Sequence, residues 1–107
     1  MAHIQSDIRF ISPPAGATAL NPLNVKQYLP KDGQLALLAD KGGKPHIIQG
    51  ENFRIQIGKK PAGRHLVMQL TAADPILVKI GREEIILDAG VYYVELARGG
   101  AGIPSVQ

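Results

Sequence analysis

The sequence predicts an all-β protein: an antiparallel β-sandwich, jelly-roll-like, with an extended proline-rich N-terminal arm. Three observations lead there. Twelve Gly and eight Pro interrupt the 107 residues so often that almost no interval is long enough for a good helix. Between the interruptions, apolar residues recur with period two, the period of a pleated strand that buries one face. Turn-forming pairs separate these runs at roughly 8–12-residue spacing, the rhythm of a sandwich or barrel. Packing sheets face to face, or closing them, also protects the many strand edges such a chain creates.

Taken in order, residues 1–33 read as an arm or edge segment and residues 34–107 as the sandwich domain. In the first segment, Ser12-Pro13-Pro14-Ala15-Gly16-Ala17 and Asn21-Pro22-Leu23-Asn24 cannot continue a ladder, because proline has no N–H to donate. Short strands over Asp7 to Ile11 and Val25 to Leu29 flank them, ordered by contact rather than by a core of their own. Asp32-Gly33, Gly42-Gly43, Gly58 to Gly63, Gly81-Arg82 and Ala89-Gly90 each separate two apolar runs. A strand starts at His46, after Pro45. In Phe53 to Ile57, Phe53, Ile55 and Ile57 share a face opposite Arg54 and Gln56. In His65 to Thr71, Leu66, Met68 and Leu70 point one way. In Pro75 to Ile80, Ile76, Val78 and Ile80 align, with Lys79 outward beside Leu77. Glu83 to Asp88 is so rich in Ile and Leu that it suits a strand covered on both faces. Val91 to Ala97 alternates Tyr92, Val94 and Leu96 against Val91, Tyr93 and Glu95. Gly99-Gly100-Ala101-Gly102 is the last turn before a closing strand, Ile103 to Val106.

Composition narrows the function. A chain of 107 residues builds one core, and without Cys it has neither a disulfide framework nor a thiolate metal site. No apolar stretch approaches the ~20 residues that span a bilayer, so no membrane partner is expected. Met1 to Asp7 lacks the basic and apolar regions of a signal peptide, which reads as a soluble, unsecreted protein. Twelve Lys and Arg against nine Asp and Glu leave a net charge of +3, scattered rather than blocked. The densest cluster is Lys59, Lys60 and Arg64. It has no aromatics among it, which argues against nucleic-acid binding and for a solvated hairpin tip.

No catalytic constellation emerges. His3, His46 and His65 have no spacing that aims two imidazoles at one ion, and each reads as a surface histidine. Glu83 and Glu84 are adjacent, so they face opposite sides of a sheet and cannot share a substrate. Asp88 and Glu95 approach each other only as residues of a solvent-facing hairpin at Ala89-Gly90. No Ser lies in a nucleophile elbow, and the glycine-rich turn lacks the Lys and helix of a phosphate loop. The expectation is a non-enzymatic protein with no cofactor and no metal.

The run Leu66-Val67-Met68-Gln69-Leu70-Thr71-Ala72-Ala73-Asp74-Pro75-Ile76-Leu77-Val78-Lys79-Ile80-Gly81, then Ile85-Ile86-Leu87-Asp88-Ala89-Gly90-Val91-Tyr92-Tyr93, then Gly99-Gly100-Ala101-Gly102 and a closing strand, resembles small virion proteins of tailed bacteriophages. There a Val-x-Ile-Gly strand leads to a Leu-x-Ala-Gly-Val hairpin, a glycine-rich turn and a final strand. The resemblance covers about residues 52–107 and rests on turns and alternation, not on reactive groups. It implies a capsid decoration or cement protein on the outer surface of the virion, synthesised in the host cytoplasm. Its partners would be the major capsid protein and further copies of itself, as a dimer or trimer. The hypothesis that residues 7–30 lie along a neighbouring subunit names Ile8, Phe10, Pro13, Pro14, Leu20, Leu23 and Tyr28 as interface residues. Lys59, Lys60 and Arg64 are a possible electrostatic contact to an acidic capsid surface. Two other readings stay open. One is a head–tail connector or tail accessory protein. The other is a carbohydrate- or cell-surface-binding sandwich that would present Tyr92 or Tyr93.

Overall fold

The computed structural model describes residues 8–12, 25–38, 45–59, 66–96 and 103–106. These residues are all-β, with no helix among them. The strands are β1 (Ile8–Ile11), β2 (Lys26–Tyr28), β3 (Gln34–Leu38), β4 (His46–Gln49), β5 (Phe53–Lys59), β6 (Leu66–Ala72), β7 (Ile76–Ile80), β8 (Glu83–Leu87), β9 (Gly90–Leu96) and β10 (Ser105–Val106). They form two five-stranded antiparallel sheets. The first, sheet A, has the order β1-β9-β6-β5-β2, and sheet B has the order β10-β3-β4-β7-β8.

The alternation read from the sequence sets the register. Ile55 pairs with Leu70 and Ile57 with Met68, so the apolar faces of β5 and β6 coincide. Val94 of β9 continues the row beside Met68. In sheet B, Leu35 lies opposite Ile48, and Ile48 opposite Val78. The inner faces meet in one core where Leu37, Ile48, Ile55, Met68, Leu70 and Val78 have no exposed surface. Each such side chain contributes about 1.5–3 kcal/mol by leaving water, so these residues hold the two sheets together.

Consecutive strands pair as hairpins inside a sheet (β3 with β4, β5 with β6, β7 with β8) before the chain crosses to the other sheet. Crossings between the sheets at β2–β3, β4–β5, β6–β7 and β8–β9 alternate with these hairpins, as a β-sandwich requires. The crossing from β2 to β3 turns at Asp32 and Gly33, with φ of 55° and 74°. Lys31 and Gln34 exchange both backbone hydrogen bonds around the pair, at 2.8 and 3.1 Å. Two central residues at positive φ make the tight turn that Asp-Gly favours. The link at Ala89-Gly90 is also a crossing and not the expected hairpin, because β8 belongs to sheet B and β9 to sheet A.

Both described stretches of the 1–33 segment lie in sheet A. β1 pairs with β9 from Ile8↔Leu96 to Ile11↔Tyr93, and β2 pairs with β5 from Lys26↔Ile57 to Tyr28↔Ile55. The contact that orders them is therefore with this chain's own sheet, at its two opposite edges. The proline-rich stretch between them lies outside the described residues.

Three local expectations are corrected. His46 is 3% exposed and not a surface residue, because alternation puts it on the same face as Ile48, opposite Leu37 and Ile80. β8 is not covered on both faces: it is the outer strand of sheet B, and Ile86 on its outward face is 71% exposed. Glu95 pairs with Arg9 across the β1–β9 ladder rather than approaching Asp88.

Candidate interaction surface

The residues expected at an interface separate into three groups. Ile8 is buried in the core, so its side chain serves the sandwich and cannot reach a neighbour. Phe10 and Tyr28 are half-buried and pack against that core from the two edges of sheet A. Pro13, Pro14, Leu20 and Leu23 lie outside the described residues. Of the basic cluster, Lys59 is exposed at the end of β5, while Lys60 and Arg64 lie outside the described residues. Glu83 and Glu84 do face opposite sides: Glu83 is registered with Ile80, and Glu84 with Lys79, to which it forms an exposed ion pair at 3.7 Å. Exposed pairs of this kind contribute about 0–1 kcal/mol, so neither this one nor Arg9–Glu95 determines the fold.

A shallow, open groove of about 400 Å³ lies where β2 ends beside the start of β5 and the end of β6. Leu29 and Pro30 form one wall. Glu51, Asn52, Phe53, Arg54, Thr71 and Ala73 complete the lining. Antiparallel pairing builds it. Tyr28↔Ile55 brings the end of β2 against β5, and Arg54↔Thr71 puts those two side chains together on the outer face of sheet A. The corner beyond is fixed by two hydrogen bonds: the Ala73 N–H donates to the Asn52 carbonyl at 2.8 Å, and Asn52 Nδ2 donates to Asp74 Oδ2 at 2.6 Å.

The chemistry of the groove is mixed. Leu29 is 62% exposed, a large apolar side chain held in solvent. Arg54 is exposed and has no acidic partner within ion-pair distance among the described residues. The Thr71 hydroxyl oxygen is shut away from solvent and has no hydrogen-bond partner among the described residues. A buried hydroxyl left unpaired costs about 1–3 kcal/mol. The groove thus combines an exposed apolar side chain with a guanidinium that has no ionic partner among the described residues. No three His, Asp or Glu among the described residues cluster as metal ligands, and no helix is long and apolar enough to cross a membrane.

The aromatic residues are accounted for in full. Phe53 and Tyr93 are buried, and Phe10, Tyr28 and Tyr92 are half-buried. Tyr93 lies on the outer face of sheet A, registered between Ile11 and Gln69, yet is only 8% exposed. Tyr92 turns inward and its hydroxyl donates to the Asp88 carbonyl at 2.7 Å. Burial, and secondarily the charge of Asp88, push its pKa above the ordinary tyrosine value. None of the five aromatics offers the exposed platform on which a sugar ring stacks.

The groove was not legible as a site in the sequence. Its two walls come from segments more than twenty residues apart, and only the β2–β5 pairing joins them. Arg54 read simply as the polar side of an alternating strand. No family model matches the chain, and no curated protein or solved structure matches it either.

Proposed function

We propose that the chain is a non-enzymatic structural protein of a tailed-bacteriophage virion, a decoration or cement subunit that binds the major capsid protein and stabilises the shell. The observation that carries this reading is the groove. Exposed Leu29 lies in it with Arg54, which has no ion-pair partner among the described residues, and arginine is a residue that protein interfaces favour. The runs on which the resemblance rests, residues 66–93, fall on β6 to β9, with Ala89-Gly90 a crossing between sheets where the pattern has a hairpin. Repetition over a shell converts a modest contact into high occupancy through multivalency.

The test counts copies of the chain per purified particle by quantitative mass spectrometry. Hundreds of copies per particle are expected, falling when Leu29→Asp or Arg54→Glu is introduced. A handful of copies would move the protein to the neck or tail, and none would end the virion reading. Truncating residues 1–20 is a poor substitute for these variants, because it removes β1 and uncovers the core at Ile8.

A further inference from the structure

Sheet B ends in a strand whose outer edge is paired with nothing among the described residues. β8 pairs with β7 through five consecutive positions, Ile76↔Leu87 to Ile80↔Glu83, with no bulge, and is the last strand of its sheet. The other sheet edges are shorter: β1 has four residues, β2 three and β10 two. Exposed edges present a row of free N–H and C=O groups, and proteins usually blunt them with Pro, Lys, a bulge or brevity. β8 (Glu83-Glu84-Ile85-Ile86-Leu87) has no Pro, Lys or bulge, though two of its five residues are charged. Its only charges sit in its first half, while the second half carries Ile86, the most exposed large apolar side chain among the described residues at 71%.

We infer that β8 is a self-association edge, pairing antiparallel with β8 of a second copy about a two-fold axis through Ile85. Charge selects this register. A continuous sheet requires that paired residues share a face, so the axis must pass through a residue position. Centred on Glu84, the pairing would set Glu84 against its own copy. Centred on Ile86, it would set Glu84 against Asp88. Both place like charges directly opposite, which destabilises a strand pair. Centred on Ile85, Glu84 faces Ile86 and Glu83 faces Leu87, twice over by symmetry, with Ile85 facing itself on the inner side. No carboxylate meets a carboxylate, and each Ile86 side chain gains a cross-strand neighbour on the outer face. The contact is isologous and uses up both edges, so it closes at the dimer and does not propagate into a fibre. The paired copies form one ten-stranded sheet.

This inference specifies the self-association contained in the proposed function, and its test is independent of particles. Purified chain is followed by sedimentation equilibrium and by hydrogen exchange over a range of concentrations. Five residues of strand make a small interface, so the dimer forms at high micromolar concentration, with β8 amides protected as it forms. Ile86→Glu, at a position too exposed to disturb the fold, sets the introduced carboxylate against Glu84 twice and weakens the dimer roughly tenfold or more. Ile86→Lys faces Glu84 with the opposite charge and holds or tightens it. The double variant Glu84→Lys with Ile86→Glu restores association. The inference is overturned if the wild type stays monomeric at millimolar concentration. Equal weakening by Ile86→Glu and Ile86→Lys also overturns it, since that would signal apolar stickiness without a register. A monomeric chain present in hundreds of copies per particle would reject the β8 contact and leave the virion role standing.

Discussion

Gly50 joins β4 to β5, where the chain leaves sheet B for sheet A. Its N–H donates to the Gly33 carbonyl at 2.9 Å, tying this crossing to the turn at Asp32-Gly33. A Cβ built on Gly50 would stand 2.8 Å from Ile76 Cγ2 and 3.4 Å from Phe53 Cδ2. Carbon atoms rest at ~3.5–4.0 Å, so the methyl group of alanine would overlap Ile76 by roughly 0.7 Å or more. Ile76 is 3% exposed and β-branched, hence stiff about χ1 and enclosed by the core, and cannot swing aside. Overpacking of this kind costs about 1–3 kcal/mol, against about 0.4–1 kcal/mol returned because alanine restricts the unfolded chain. Gly50→Ala is therefore expected to lose about 1–2 kcal/mol, which for a domain near this size lowers Tm by roughly 5–15 °C. Urea denaturation with a double-variant cycle is the assay. Ile76→Ala removes the obstructing methyl at a cost of about 2–5 kcal/mol, and adding Gly50→Ala to it should cost almost nothing more. If Gly50→Ala matches the wild type in stability, or the two costs simply add, the steric reasoning is refuted.

Two further predictions concern backbone and proton. Asp32 holds a φ of 55°, which Gly adopts freely and a β-branched residue does not, so Asp32→Val should cost about 1–2 kcal/mol in urea denaturation while Asp32→Gly stays near the wild type. Tyr92 has a raised pKa in the folded chain, so above the ordinary tyrosine value of 10.0 the unfolded chain releases a proton that the folded chain retains. Stability from this residue is complete below that pH and declines as pH rises through the folded value. Denaturation midpoints across that alkaline range should fall less steeply for Tyr92→Phe, and an unchanged slope would discount the burial of this hydroxyl.

Strand content was the most legible part of the molecule, because period-two alternation states which side chains share a face. Ile55 and Ile57 against Arg54 and Gln56, or Val78 and Ile80 against Lys79, turned out as the pattern requires. Sheet membership was not legible. Asp-Gly and Ala-Gly pairs look alike whether they reverse a hairpin or carry the chain to the other sheet, so Ala89-Gly90 read as a hairpin although it is a crossing. The same ignorance of neighbours misplaced β8, whose Ile-rich centre resembles an inner strand, and His46, whose polarity suggested the surface while its phase put it inside. The groove depended on which strands adjoin one another, and β2–β5 adjacency is written nowhere locally. Arg54 and Thr71 become notable only once that pairing sets the Leu29 wall beside them.

The pairing of β1 with β9 has a consequence for how the molecule is made. Arg9 leaves the ribosome 86 residues ahead of Glu95, its partner in the ladder. The β5–β6 and β7–β8 hairpins can assemble as they emerge, since each joins neighbours in the chain. Sheet A, by contrast, must wait for β9 to be synthesised before its β1 edge can be laid, and contacts this distant in the chain slow the folding search. Until then β1 has no place in the sheet, and Ile8 and Phe10 stay in water. A nascent chain stalled before β9 should thus expose β1 to protease while its central hairpins already resist.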